Sequence, residues 1–115
     1  MVTDLTYLKN MADGNEDIVL DLIHIFIDQV DEFRDGMQKG LIEKDWQMLS
    51  KVAHKAKSSV AVMGMKDMAD QLKNLELNSM NGINTEHYNE IVNDFFEACN
   101  EAVIELKKYS SNKNN

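Results

Sequence analysis

From Val19 to Leu106 the apolar residues of this 115-residue chain recur every three or four positions, and no proline interrupts them anywhere. That spacing lays apolar side chains along one face of an α-helix. No segment of useful length alternates with the period of two that a half-buried strand requires. The chain is therefore expected to be all-α.

The breaks in the pattern divide it into helices. A short first helix is predicted from Asp4 to about Ala12, capped by Thr3 or Asp4, with Leu5, Leu8 and Met11 on one side. After the turn Asp13-Gly14-Asn15, Asn15 caps a longer helix whose first turn holds Glu16 and Asp17, as the helix dipole favours. Its apolar stripe is Val19, Leu22, Ile23, Phe26, Val30, Phe33 and Met37, and Gly36 and Gly40 weaken a far end expected near Glu43. Asp45 caps a third helix with Trp46, Leu49, Ala53, Ala56, Val60 and Met63 inward, stopped by Gly64. A fourth follows at once with Met65, Met68, Leu72 and Leu75 inward. Residues 78–84 are the most loop-like in the chain. A last helix runs from Thr85 to about Tyr109 with Tyr88, Val92, Phe95, Cys99, Ala102 and Leu106 inward, leaving a frayed polar tail from Ser110. Four long amphipathic helices on short connections predict an antiparallel four-helix bundle, with the short first helix as a lid. One domain over residues 1–115 is expected, for this length encloses a single core.

Composition narrows the function. A net charge of −8 disfavours nucleic acid or an anionic membrane as the main partner. No apolar run approaches the roughly 20 residues of a membrane span, and Met1-Val2-Thr3-Asp4 opens no secretory signal, so a cytoplasmic location is expected. The single Cys99 offers neither an internal disulfide nor a zinc framework and is read as a core thiol. Asp21 and His24 have the spacing of a bundle metal site, but such sites face the core and need a second carboxylate–histidine pair from another helix. Neither a metal nor a cofactor is expected, and no Gly-rich phosphate loop suggests a nucleotide site. His24 reads as part of a solvated acidic face, His87 as exposed and idle beside Glu86, and Trp46 as a core residue at the bundle end.

His54 stands apart. Gln47, Ser50, Lys51, His54, Lys57, Ser58 and Ala61 share one helix face, so an imidazole sits among lysines and small side chains with nothing bulky and apolar over it. Lys57 lies one turn on, placed to offset negative charge on a group arriving at the ring. It also disfavours the imidazolium and so keeps the ring nucleophilic. The arrangement suits capture of a phosphoryl group, where charge stabilisation and positioning supply most of the catalysis.

Residues His54 to Gly64 resemble the His-x-x-Lys-Gly-Ser-x-x-x-x-Gly motif of histidine-containing phosphotransfer domains. Asp45-Trp46, Leu72 with Leu75-Glu76, and Tyr7-Leu8 before a glycine-containing turn extend the likeness over roughly residues 4 to 108. The resemblance implies a phosphorelay carrier, a phosphotransferase without ATP-dependent kinase activity. His54 would accept a phosphoryl group through Nε2 from the aspartyl phosphate of a receiver domain and pass it to another. It implies that Lys57 steadies the phosphate, that Ser58 and Ser59 hold the close-approach positions, and that Glu76 orients the imidazole. Response-regulator receivers or a hybrid sensor histidine kinase would be the partners, the receiver bringing Mg²⁺. The chain itself is expected to be a monomer and, from Met1 and its polar tail, free-standing. One departure is Ser58, where the family most often has Gly; its hydroxymethyl group narrows the approach to the ring. The competing expectation is a four-helix module that binds receivers or other regulators without carrying phosphate, and such a module has no need of His54 with Lys57.

Overall fold

The structure, a computed structural model, describes residues 1–113, Lys113 by its backbone alone. Five α-helices appear in the expected order: α1 Thr6–Met11, α2 Glu16–Ile42, α3 Trp46–Val62, α4 Lys66–Asn81 and α5 Tyr88–Lys113, the last entered through a 3₁₀ turn at Thr85–His87. The described residues contain no strand. Connections of residues 43–45 and 63–65 leave room only for reversal, so α2, α3 and α4 run antiparallel, and α5 closes a bundle 46 × 21 × 20 Å. The N-caps at Asn15 and Asp45 are as expected: each side chain accepts from the backbone N–H three residues on.

The predicted stripes meet in one core. Ile23, Met37, Leu49, Leu72, Leu75, Phe95 and Leu106 are fully buried, each such large side chain contributing about 1.5–3 kcal/mol of apolar transfer free energy. Cys99 lies among them, and burial pushes its thiol up to about 12, so it is inert packing. Trp46 is half-buried and stands edge-on to Tyr88, ring centroids 5.0 Å apart, at the end of the bundle. Helix α2 ends at Ile42 with Glu43 as its C-cap, as expected, and Gly36 and Gly40 lie within its last turns. They face α3: a Cβ on Gly36 would come within 2.9 Å of Val52 Cγ2, and one on Gly40 within 3.3 Å of Leu49 Cβ. Both are missing side chains that let two helices approach.

Several boundaries shift. Helix α1 begins at Thr6 rather than Asp4, although Asp4 Oδ1 does accept from Thr6 N–H. Its inward pair is Leu8 and Ala12, four residues apart, which leaves Met11 exposed instead of inward and Leu5 only half-buried. The polar run expected as loop from Asn78 is helical to Asn81, because Ser79 is buried and returns its hydroxyl to the Leu75 carbonyl. The chain breaks only at Gly82, which takes a left-handed conformation. The tail expected to fray at Ser110 is helical to Lys113, with Ser110 buried and 3.3 Å from His24 Nε2; Asn114 and Asn115 lie outside the described residues.

The lid is strapped down by residues the sequence pattern did not mark. Glu105 on α5 accepts from the Val2 and Thr3 backbone N–H groups at 2.8 and 3.0 Å and from the Thr3 hydroxyl at 2.6 Å. Burial alone would raise the Glu105 carboxyl, but these donors outweigh it and hold the group below its ordinary value. One residue on, Asp4 N–H donates to the Met63 carbonyl at 3.0 Å, so the strap crosses the end of α3. Gly64, at φ +75°, therefore has two duties. It turns the chain out of α3, and it leaves the space where a Cβ would fall on the Asp4 carbonyl oxygen.

Candidate functional site

Helix α3 carries Lys51, Lys55 and Lys57 and no carboxylate, in a chain of net charge −8. Its apolar stripe (Leu49, Ala53, Ala56, Val60) faces the core, which turns His54, Lys55 and Ser58 outward. Ala53 and Ala56 are small and fully buried on the core side of α3. Ser50, expected merely as a short residue on the exposed face, is in fact buried, and its hydroxyl donates to the Glu76 backbone carbonyl at 2.9 Å. That bond registers Glu76 opposite the turn of α3 that holds His54 and Lys57.

The carboxylate of Glu76 spans the two. Its Oε2 lies 2.9 Å from His54 Nδ1, and its Oε1 accepts from Lys57 Nζ, also at 2.9 Å. The Glu76 side chain is only 14% exposed and Lys57 27%, whereas the His54 ring is 60% exposed. Lys57 is the largest cause holding the Glu76 carboxyl below its ordinary value; burial opposes this, and the His54 bond adds to the lowering. Glu76 is thus ionised and acts as acceptor only, so the proton in its bond to His54 belongs to Nδ1. In the neutral ring that bond leaves the lone pair on Nε2. Among the described residues no hydrogen bond engages Nε2. The geometry presents an outward imidazole held at Nδ1 by a half-buried carboxylate, with Lys57, bound to the same carboxylate, one turn away.

The two serines part company. Ser58 is exposed and lines a groove of about 620 Å³ between α1 and the end of α3, with Tyr7, Asn10, Ala61, Val62 and Lys66. Ser59 is half-buried, and its hydroxyl donates to Gln29 Oε1 on α2 at 3.0 Å. Gln29 had no distinguishing mark in the sequence, where it is one polar residue on a long helix. The other histidines lie apart from this site. His24 is exposed on α2 as expected, but bonded to Ser110. His87 is exposed too, yet has a partner after all in Glu86, 3.6 Å from its Nε2. No group of three or more His, Cys, Asp or Glu side chains among the described residues could hold a metal ion.

The helices that position this imidazole form the four-helix bundle of the histidine phosphotransfer class. Residues 21–108 match the sequence model of the Hpt domain, and the chain belongs to that family, the histidine phosphotransfer proteins of two-component phosphorelays. Among solved structures it is similar to histidine-containing phosphotransfer protein B from Pseudomonas aeruginosa PAO1, with a TM-score of 0.87, 21% identity and 96% of each chain covered. It is also similar to the HPT domain of a sensor hybrid histidine kinase from Shewanella, with a TM-score of 0.82 and 13% identity over 96% of this chain and 95% of that one. At these identities the likeness is one of fold. No curated protein matches the chain. Proteins of this family interact with receiver domains, and no helix here is long and apolar enough to cross a membrane.

Proposed function

We propose that His54 is the phosphoacceptor and that the chain is a phosphocarrier between receiver domains. The observation that carries this reading is the pairing of an exposed ring, held at Nδ1 by Glu76, with Lys57 one turn away. Nε2 attacks the phosphorus of a receiver's aspartyl phosphate in line. The P–O bond breaks, and its electron pair returns to the aspartate. Lys57 steadies the phosphoryl oxygens, and Glu76 orients the ring. Positioning and charge do the work, as phosphoryl transfer through a loose transition state allows. The Mg²⁺ belongs to the receiver, and the chain contributes no cofactor of its own.

A receiver docks over the outward face of α3. Ser58 and the groove beside it form the margin nearest His54, and Ser59 ties that stretch of α3 to α2 through Gln29. Affinity comes from apolar side chains there, notably the exposed Tyr7 and half-buried Val62, and the lysines of α3 select a partner with acidic charge around its aspartate. We assign the carrier to the cytoplasm and to a monomeric state. Mixing it with phosphorylated receivers from the same genome, those of hybrid sensor kinases included, should give acid-labile, alkali-stable phosphate on the chain. Label that persists in His54→Gln would sink the assignment, and a protein that binds receivers but takes no label is an interaction module instead.

A further inference from the structure

Orienting an imidazole requires only a hydrogen-bond acceptor opposite Nδ1, and a glutamine at position 76 would supply one. The residue present is instead a carboxylate, 14% exposed, bonded to Nδ1 and to Lys57 through different oxygens at 2.9 Å each. Partial burial leaves its charge poorly screened where it faces the ring. A hydrogen bond to an ionised acceptor is also stronger than one to a neutral amide. We infer that the negative charge of Glu76, beyond its hydrogen bond, keeps the proton on Nδ1 of phosphorylated His54 and so sets how readily the phosphoryl group leaves. This rests on the reading of His54 as phosphoacceptor.

The chemistry follows from where the proton stays. When Nε2 bonds to phosphorus with Nδ1 still protonated, the ring carries a positive charge, which Glu76 Oε2 stabilises directly. In the onward step a receiver's aspartate oxygen bonds to phosphorus while the Nε2–P bond breaks. The electron pair returns to Nε2, and neutral imidazole departs, with no proton gained or lost over the cycle. A phosphorylated ring stripped of the Nδ1 proton would have to leave as imidazolate, a far poorer leaving group. Lys57 reinforces the bias. Before transfer it shares Glu76, whereas a bound phosphoryl group competes for its ammonium. Drawing Lys57 away leaves the carboxylate charge to Nδ1–H alone. Glu76 is in this sense a positioning residue that positions a proton as well as a ring.

The test uses the full chain with ¹⁵N-labelled histidine, phosphorylated chemically with phosphoramidate and followed by ¹⁵N and ³¹P NMR at neutral pH. In the wild-type protein the Nδ1 resonance of phosphorylated His54 should be that of a protonated nitrogen. Glu76→Gln should move it towards the unprotonated position and lengthen the lifetime of the phosphoryl group roughly five- to tenfold, the difference between a charged and a neutral acceptor. Glu76→Ala should do the same. If Gln instead matches wild type and only Ala differs, the role is orientation alone and the inference is overturned. If wild-type His54 accepts no phosphoryl group from phosphoramidate or from phosphorylated receivers, the carrier reading itself falls and takes this one with it.

Discussion

His54 and His24 both stand exposed on long helices, and their surroundings are nearly opposite. On α3 three lysines flank His54 without one carboxylate on the helix; on α2 Asp21 and Asp28 lie about one turn to either side of His24. At His54 the engaged nitrogen is Nδ1, held by a carboxylate that also binds Lys57. At His24 the engaged nitrogen is Nε2, 3.3 Å from the buried Ser110 hydroxyl, in a shallow cleft whose cation, Lys107, comes from α5. Exposure alone therefore distinguishes nothing. What separates the two is which ring nitrogen is engaged and by what: at His54 a carboxylate that also binds a lysine, at His24 a serine hydroxyl.

The sharpest way to break this contrast is to remove each ring in turn. His54→Gln should abolish all acid-labile phosphate acquired from a phosphorylated receiver, whereas His24→Gln should leave uptake within about twofold of wild type, as for a surface change away from the chemistry. The reverse result would invert the comparison. Next in size is the cation. Lys57→Ala should slow transfer by about tenfold or more, the range for losing one charge-stabilising donor, while the helical circular dichroism persists. An unchanged rate would reduce the contrast to ring orientation.

A matched pair of glycines tests the scaffold at the α3 end. Gly64 and Gly14 have nearly equal positive φ, +75° and +74°, but only Gly64 has a neighbour where a Cβ would lie. Gly64→Ala should cost about 3 kcal/mol or more in urea unfolding, since backbone strain and displacement of the strap add; Gly14→Ala should cost about 1 kcal/mol from strain alone. Equal losses would mean the strap yields freely.

Smaller still is the pH response of the ion pair. Because the Glu76 carboxyl is held below its ordinary value of 4.5, mainly by Lys57, its pairing stabilises the fold fully above that value. The contribution disappears as pH falls through the lower value of the folded state. For a pair exposed to this degree it should amount to about 1 kcal/mol or less. Urea unfolding at a series of pH values should show Glu76→Gln converging on wild type at the acid end. The least effect is expected at Ser58, exposed and unbonded to the ring: Ser58→Gly should leave transfer unchanged or faster and cost about 0.5–1 kcal/mol of helix stability. A large loss of transfer would give its hydroxyl an active part.

The parts of the molecule legible in the sequence share one property: they depend on neighbours three or four residues away along the same helix. The stripe from Val19 to Met37, the caps at Asn15 and Asp45, and the spacing of His54 to Lys57 are all of that kind. Misreadings arose where a contact from elsewhere overrode local polarity. Asn78 to Asn81 looks like loop, but the burial of Ser79 continues α4 through it. Ser110 looks like a frayed tail, but it packs beside His24. For Gly36 and Gly40 the sequence shows only weak helix formers, and the packing adds that their missing side chains make room for α3.

By itself, then, the sequence determined a helical bundle and the turn of α3 on which an exposed histidine and a lysine stand together, because helical periodicity is local and repeats every few residues. Family resemblance alone could nominate Glu76, 22 positions after His54. Only the packing of α4 against α3, registered by Ser50, decided that one carboxylate would hold both His54 Nδ1 and Lys57 Nζ. The strap through Glu105 was settled in the same way, by a contact about 100 residues distant. Such placements depend on how whole helices seat against one another, and no stretch of the chain encodes that seating alone.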